Sequence, residues 1–308
     1  MKKIYILAGL ILAIILVSGC VQEFEQPPTT TTPETTNFEV HEWGVLVGCS
    51  TSDSYFLTSR PEQVMMVRQP VIYIHSEDKK PFTAQVRFNN GEPTDTYPKA
   101  EVDGNTAIWK NVNFSENCET KMVRGIPEYV PLESIIGTLN DVDADCLSYN
   151  NQKARFLFYE GELMFENKIE VSYNFEKQEA ALKNNGEYLV YNLILAASKE
   201  SGNIFSPDVY LSRVEKLDPG ERVTVRFAEQ KDIALETDLV PQGFTEREAE
   251  AFSELWREPF LYPSNTAGWA NLIYRLSKEE YDEMITLNFI PQPTKITRSL
   301  YILIHLNE

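Results

Sequence analysis

The chain has 308 residues, 43% of them hydrophobic and 24% charged, enough material for two or three compact units. Its 46 acidic residues against 28 basic ones leave a formal charge of −18, which makes nucleic acid and anionic lipid headgroups poor partners. An acidic surface also serves solubility, so the charge excludes partners without selecting one.

The first 20 residues read as a lipoprotein leader. Lys2 and Lys3 form a positive start, 4–17 is an apolar run, and Val17-Ser18-Gly19-Cys20 is a lipobox whose Cys20 is the lipidation site. A spanning helix needs about 20 apolar residues, and this run is shorter and interrupted by Gly9. Stable anchoring takes more than one acyl chain, so a diacylglyceryl-type group on Cys20 is expected, facing outside the cytoplasm. Residues 21–37 follow as a Thr/Pro-rich stalk, extended and solvated because it holds almost nothing to bury.

Beyond the stalk the expected fold class is mainly β, with β-sandwich (immunoglobulin-like) modules followed by a small α+β unit. The first, over 38–164, is β-rich: 64–74, 82–88, 106–112 and 156–159 are β-branched and aromatic runs separated by turns. Val102-Asp103-Gly104-Asn105-Thr106 reads as a hairpin. The second, over 165–240, is an immunoglobulin-like β module, with alternation at 168–173, an apolar strand at 188–196 and alternation again at 222–227. The third, 241–308, is α+β. Thr245 and Glu248 form a capping box ahead of a helix carrying Ala249, Phe252, Leu255 and Trp256, and Ser277 with Glu280 caps a second, short helix carrying Tyr281, Met284 and Ile285. Residues 271–275 and 299–306 read as strands.

With Cys20 lipidated, Cys49, Cys118 and Cys146 remain, an odd number where disulfides persist. Cys118–Cys146 is the favoured pair, closing a loop worth about 3–4 kcal/mol, although Cys49 could take either partner. The chain has no C-x-x-C, no Gly-x-Ser-x-Gly elbow, no Walker loop and no dinucleotide fingerprint, so redox, hydrolase, kinase and dehydrogenase readings lack their usual anchors.

Four constellations remain. His41-Glu42-Trp43-Gly44 lies where the chain leaves the stalk. On a strand His41 and Glu42 point to opposite faces, Trp43 enters the core, and Gly44 admits a neighbouring backbone. His41, His75 and His305 are the three imidazoles of the chain; a three-His metal site competes with ordinary hydrogen-bonded structural roles. Asp141, Asp143 and Asp145, two apart in a loop, are candidate calcium ligands; a solvated acidic turn accounts for the same residues, and the EF-hand pattern fails at Cys146 and Gln152. Asn113-Phe114-Ser115 is a glycosylation sequon on Asn113.

His41-Glu42-Trp43-Gly44, Arg68-Gln69-Pro70-Val71-Ile72-Tyr73, Phe156-Leu157-Phe158-Tyr159-Glu160-Gly161 and the segment from Glu248 to Arg257 are together similar, in order and spacing, to a family of uncharacterised secreted bacterial proteins with a His-Glu-Trp-Gly motif. The family has no assigned activity, so the resemblance implies a location and a scaffold but no reaction. Members carry Thr-Phe after the Glu-Trp-Gly, where this chain has Val45-Leu46, and an aromatic residue near the place of His75. The resemblance thus implies that His75 is not a shared ligand, and that Glu-Trp-Gly and Trp256-Arg257 link the first strand to the tail.

The expected function is a lipid-anchored extracytoplasmic binding or scaffolding module, with a surface protein or carbohydrate as ligand and no nucleic acid. The alternative is an extracytoplasmic hydrolase, metal-dependent through His41, Glu42 or the acids around Asp141. A purely structural envelope component is the third reading.

Overall fold

A computed structural model of the chain describes residues 37–49, 63–118, 132–199, 208–230, 233–261 and 268–306. The leader, Cys20 and the stalk up to residue 36 lie outside the described residues. In chain order the elements are β1 (Phe38–Cys49), β2 (Gln63–Ser76), β3 (Phe82–Phe88), β4 (Gly91–Tyr97), β5 (Glu101–Asp103), β6 (Thr106–Phe114), α1 (Leu132–Asn140), β7 (Leu147–Tyr149), β8 (Gln152–Ala154) and β9 (Phe156–Phe165). Then come β10 (Ile169–Asn174), β11 (Glu179–Asn184), β12 (Val190–Ser198), β13 (Val209–Leu217), β14 (Arg222–Arg226), β15 (Ala228–Glu229) and α2 (Glu236–Leu239). The tail holds α3 (Glu246–Leu261), β16 (Ala270–Arg275), α4 (Lys278–Met284), β17 (Ile285–Ile290) and β18 (Lys295–Leu306).

The fold is mainly β and layered. A nine-stranded sheet in the order β15-β13-β12-β16-β18-β1-β2-β9-β4 forms its middle. On one face Val40, Leu46, Ile72, Ile74, Leu157, Leu195 and Ile302 pack against two smaller sheets, one built on β17-β3-β6-β7-β8 and the other on β10-β11-β14. On the opposite face Trp43, Val45, Tyr73, Phe158, Ala196 and Leu303 meet α1, α2 and α3 through Leu139, Leu239, Phe252 and Trp256. Both faces of the central strands are therefore buried, which is why 71–74 and 193–197 read as unbroken apolar runs rather than as alternation.

The expected division into units at 38–164, 165–240 and 241–308 does not match this layering. Each span contributes strands to the nine-stranded sheet, and Thr35–Glu308 is one compact unit. The reason is a long-range pairing: β18, from the end of the chain, lies parallel to β1, with Glu42 opposite Arg298 and Val45 opposite Tyr301. The 165–240 span still contributes to a two-layer arrangement, since Val171 and Leu182 of the small sheet face Leu193 and Leu195 of the large one. The tail differs from expectation in one element. Ile285, read as part of a helix, begins β17, which pairs with β3.

Gly44 shows how β1 and β2 come together. β2 crosses the middle of the sheet with Pro70 inside it, and a proline without an N–H is tolerated there only at a bulge. Register shifts between Trp43 and Val45 on one side of β2 and between Val67 and Val71 on the other mark that bulge, where Gln69 has φ 51°. A Cβ on Gly44 would lie 2.9 Å from Pro70 Cα, so the position needs glycine for close backbone approach.

Trp43 is fully buried and meets Phe252 edge-on at 5.4 Å and Tyr73 at 6.4 Å. Its indole N–H has no hydrogen-bond partner among the described residues, so truncation strands no polar group among them. Trp43→Ala is expected to cost about 3–5 kcal/mol, measured by equilibrium denaturation; a change below about 1 kcal/mol would mean that this ring does not fasten α3 to the sheet.

Candidate functional site

Alternation along β1 splits the His-Glu-Trp-Gly segment between two environments. His41 and Trp43 face the helices, while Glu42 faces the second β layer. In the antiparallel register of β1 and β2, His41 lies opposite Tyr73 and Glu39 opposite His75. His41 and His75 are thus diagonal neighbours on one face, with ring centroids 4.6 Å apart.

Glu248 reaches them from the first turn of α3. The capping box forms as the sequence predicts: Glu248 N–H donates to Thr245 Oγ1 at 3.2 Å and Thr245 N–H donates to Glu248 Oε2 at 2.8 Å. That geometry turns the carboxylate back over the helix N-terminus and onto the sheet. There it accepts from His41 Nδ1 at 2.8 Å through Oε2 and from His75 Nε2 at 2.9 Å through Oε1. An ionised carboxylate only accepts, so both of those ring nitrogens carry protons. Glu248 is fully buried and His41 nearly so, whereas the His75 side chain is 24% exposed and forms the mouth of the cluster. Phe244 stands edge-on to His41 at 5.6 Å and closes the apolar side.

Burial alone would raise the Glu248 carboxyl, but its bonds to His41, His75 and the Thr245 amide outweigh this and hold it down at about 2. Burial pulls His75 down, and the hydrogen bond and charge of Glu248, with the charges of Asp145 and Glu39, raise it overall. Among the described residues, His41, His75 and Glu248 are the one group of three side chains whose ligating atoms converge, all within 4.8 Å of one another.

Other predicted residues go elsewhere. His305 bonds Asn271 Oδ1 at 2.8 Å across the β18–β16 ladder, so the three imidazoles do not meet. Asp141 takes Arg247 at 2.8 Å, and Asp145 accepts from Ser76 N–H at 2.7 Å and pairs with Lys79. Because these two carboxylates are drawn to different cations, the Asp141, Asp143 and Asp145 loop does not converge on a calcium ion. Cys118 and Cys146 are joined by a disulfide, with Cα atoms 5.4 Å apart. Asn113 is exposed on β6, its amide bonded to the Asn111 carbonyl.

Glu42 belongs to a buried ion pair rather than to the His cluster. It accepts from Tyr159 Oη at 2.8 Å and from Arg298 Nε, while Arg298 also donates to Asp282 at 2.6 Å and to the Ile285 carbonyl at 2.8 Å. The Arg298 guanidinium stacks 3.9 Å from the Tyr281 ring centroid. The sequence offered His41 and Glu42 as alternatives for a metal-dependent hydrolase and set them on opposite faces of a strand, and the pleat does turn them apart. Glu248 entered the sequence reading as a capping residue and as the start of the segment to Arg257; its contact with both imidazoles is long-range, and no local sequence signal marks it.

The chain matches no family model and no curated protein. Among solved structures it is similar to the yeast delta-COP-I mu-homology domain, alone and complexed with a Dsl1 WxWxV peptide. Each comparison has 8% identity and a TM-score of 0.32 over 90% of this chain and 98% of that one. A likeness this distant carries no conclusion about function.

Two outcomes follow. Glu42→Ala leaves Arg298 buried without its main partner and is expected to cost about 3–5 kcal/mol in denaturant unfolding. In chelator, Glu248 stabilises the fold above its ordinary 4.5, and that contribution is lost as pH falls toward 2. His75 stabilises below its ordinary 6.5, and that contribution is lost as pH rises through its raised pKa. The thermal midpoint is therefore expected to peak between these values, and His75→Gln should remove the alkaline decline; an unchanged decline would assign it to other groups.

Proposed function

We propose that the protein is a lipid-anchored, stalked extracytoplasmic surface protein that works by binding a ligand. The observation that carries this reading is Val17-Ser18-Gly19-Cys20 at the end of a positively started apolar run, directly ahead of a Thr/Pro stalk. Among the described residues no helix is long and apolar enough to cross a membrane.

The binding half of the reading is supported by a cavity of about 440 Å³ between the start of β10, the β11–β12 turn and α4. That size is ordinary for a small-ligand or saccharide site. Its lining combines rings and acids suited to hydroxyl-rich ligands: Phe165, Tyr188, Tyr274, Glu280 and Glu283, with Lys168 at the rim. Tyr188 donates to Glu283 at 2.5 Å. Burial, then the charge of Glu283, pushes the Glu280 carboxyl up to about 7.

Metabolic labelling with a fatty acid in a bacterial host that processes lipoproteins tests the anchor. The wild-type chain is expected to take up label and fractionate with membranes, and Cys20→Ala to lose both; label retained by Cys20→Ala would refute lipidation at that residue. A glycan array with wild type and Tyr188→Ala tests the ligand class, and equal signals from the two would remove the cavity from the account.

A further inference from the structure

We infer that His41, His75 and Glu248 form a binding site for one divalent transition-metal ion of the zinc class. The inference is independent of how the protein is anchored and of what the cavity beside α4 takes.

The donor set comes first. Two imidazole nitrogens and one carboxylate oxygen suit zinc and its first-row neighbours, whereas calcium and magnesium want oxygen alone. Zinc takes nitrogen and oxygen donors at about 2.0–2.2 Å, which puts tetrahedral donors about 3.3–3.5 Å apart. Here the nitrogens lie 2.8 and 2.9 Å from the carboxylate oxygens, and all three ligating atoms fall within 4.8 Å. Small side-chain adjustments open that arrangement to an ion, with no change of backbone.

The scaffold holds the donors before any ion arrives. His41 and His75 stand on adjacent central strands whose register is fixed on both sides, and Glu248 is held by the capping box of α3. The ion takes the place of the proton on His41 Nδ1 and of the proton on His75 Nε2, and each ring binds as a neutral imidazole: a ring protonated at both nitrogens gives one proton to solvent, and a neutral ring exchanges its proton through water to the nitrogen that does not bind the metal. Three protein donors leave a fourth position, and the partly exposed His75 is the side from which water and ion reach it.

A second observation comes from the far side of His41. Its Nε2 is buried and has no hydrogen-bond partner among the described residues, although a Glu39 carboxylate oxygen stands 3.8 Å away. With Nδ1 on a metal, Nε2 carries the ring proton and Glu39 is its natural acceptor, the carboxylate–histidine pairing that orients metal-bound imidazole. Lys295 Nζ stands 3.8 Å from the same Glu39 oxygen.

The experiment uses the full chain in detergent, stripped with chelator and titrated with zinc and cobalt(II). One ion per chain is expected, with the intense visible bands of low-symmetry cobalt and a thermal midpoint raised by zinc. Glu248→Gln keeps an oxygen for the Thr245 N–H, so the helix cap survives, and zinc should bind at least about 100-fold more weakly; Glu39→Ala, at the exposed outer position, should cost about 10-fold. Asp141→Asn should change neither. The site is overturned if the wild-type chain takes up less than a stoichiometric ion, or if folded Glu248→Gln binds as the wild type does. Should Glu248→Gln fail to fold, His75→Ala at the partly exposed mouth decides the matter in the same way.

Discussion

The ion pair between Glu42 and Arg298 governs much of this architecture. The two residues are register partners in the parallel ladder of β1 and β18, and both side chains are almost wholly excluded from solvent. A charge in that position is tolerable only when it is paired and hydrogen-bonded: Tyr159 donates to Glu42, and Asp282 and the Ile285 carbonyl accept from Arg298. A slip of β18 by one residue would separate the pair and turn every side chain of β18 to the wrong face. The pair therefore fixes how the last strand meets the first, and with it the middle of the nine-stranded sheet.

From that register the His cluster follows. β1 is pinned between β18 and β2, so His41 must emerge on the helix face one residue before Glu42 enters the opposite core. Trp43, two residues on, packs against Phe252 of α3. This contact sets the distance between sheet and helix, and the helix start delivers Glu248 onto His41 and His75. One tetrapeptide thus does four separate things. It ties the chain ends together through Glu42, docks a helix through Trp43, and places an imidazole through His41, while Gly44 lets β2 pass.

Elements governed by local rules were legible in the sequence. Thr245 with Glu248 and Ser277 with Glu280 cap helices because the capping box is a matter of a few bonds within one turn. The strands at 82–88, 106–114 and 169–174 follow their apolar and β-branched patterns, and opposite facing of His41 and Glu42 follows from the pleat alone. What stayed hidden was long-range. Nothing near 295–306 announces that it will lie parallel to a strand some 250 residues earlier, so the tail read as a separate unit when its strands belong to the central sheet. β4 carries Pro93 and polar residues and is recognisable as a strand only through its pairing with β9. The acids around Asp141 attracted a calcium reading because sequence shows their spacing and not the lysine and arginine that claim them.

The disulfide connects the covalent framework to the mouth of the His cluster. Cys146 is held to Cys118, and the residue before it, Asp145, is fastened by its own N–H to the Ile74 carbonyl and by its carboxylate to the Ser76 N–H. These two bonds bracket His75, so the segment behind α1 clamps the end of β2 on either side of that imidazole. The charge of Asp145 also favours the protonated ring. Constraining the 118–146 loop lowers the entropy gained when this segment opens, and the benefit falls on the one member of the cluster that meets solvent. His41 and Glu248 are positioned by the core, whereas His75, the partly exposed member, is positioned by a clamp whose staple is covalent.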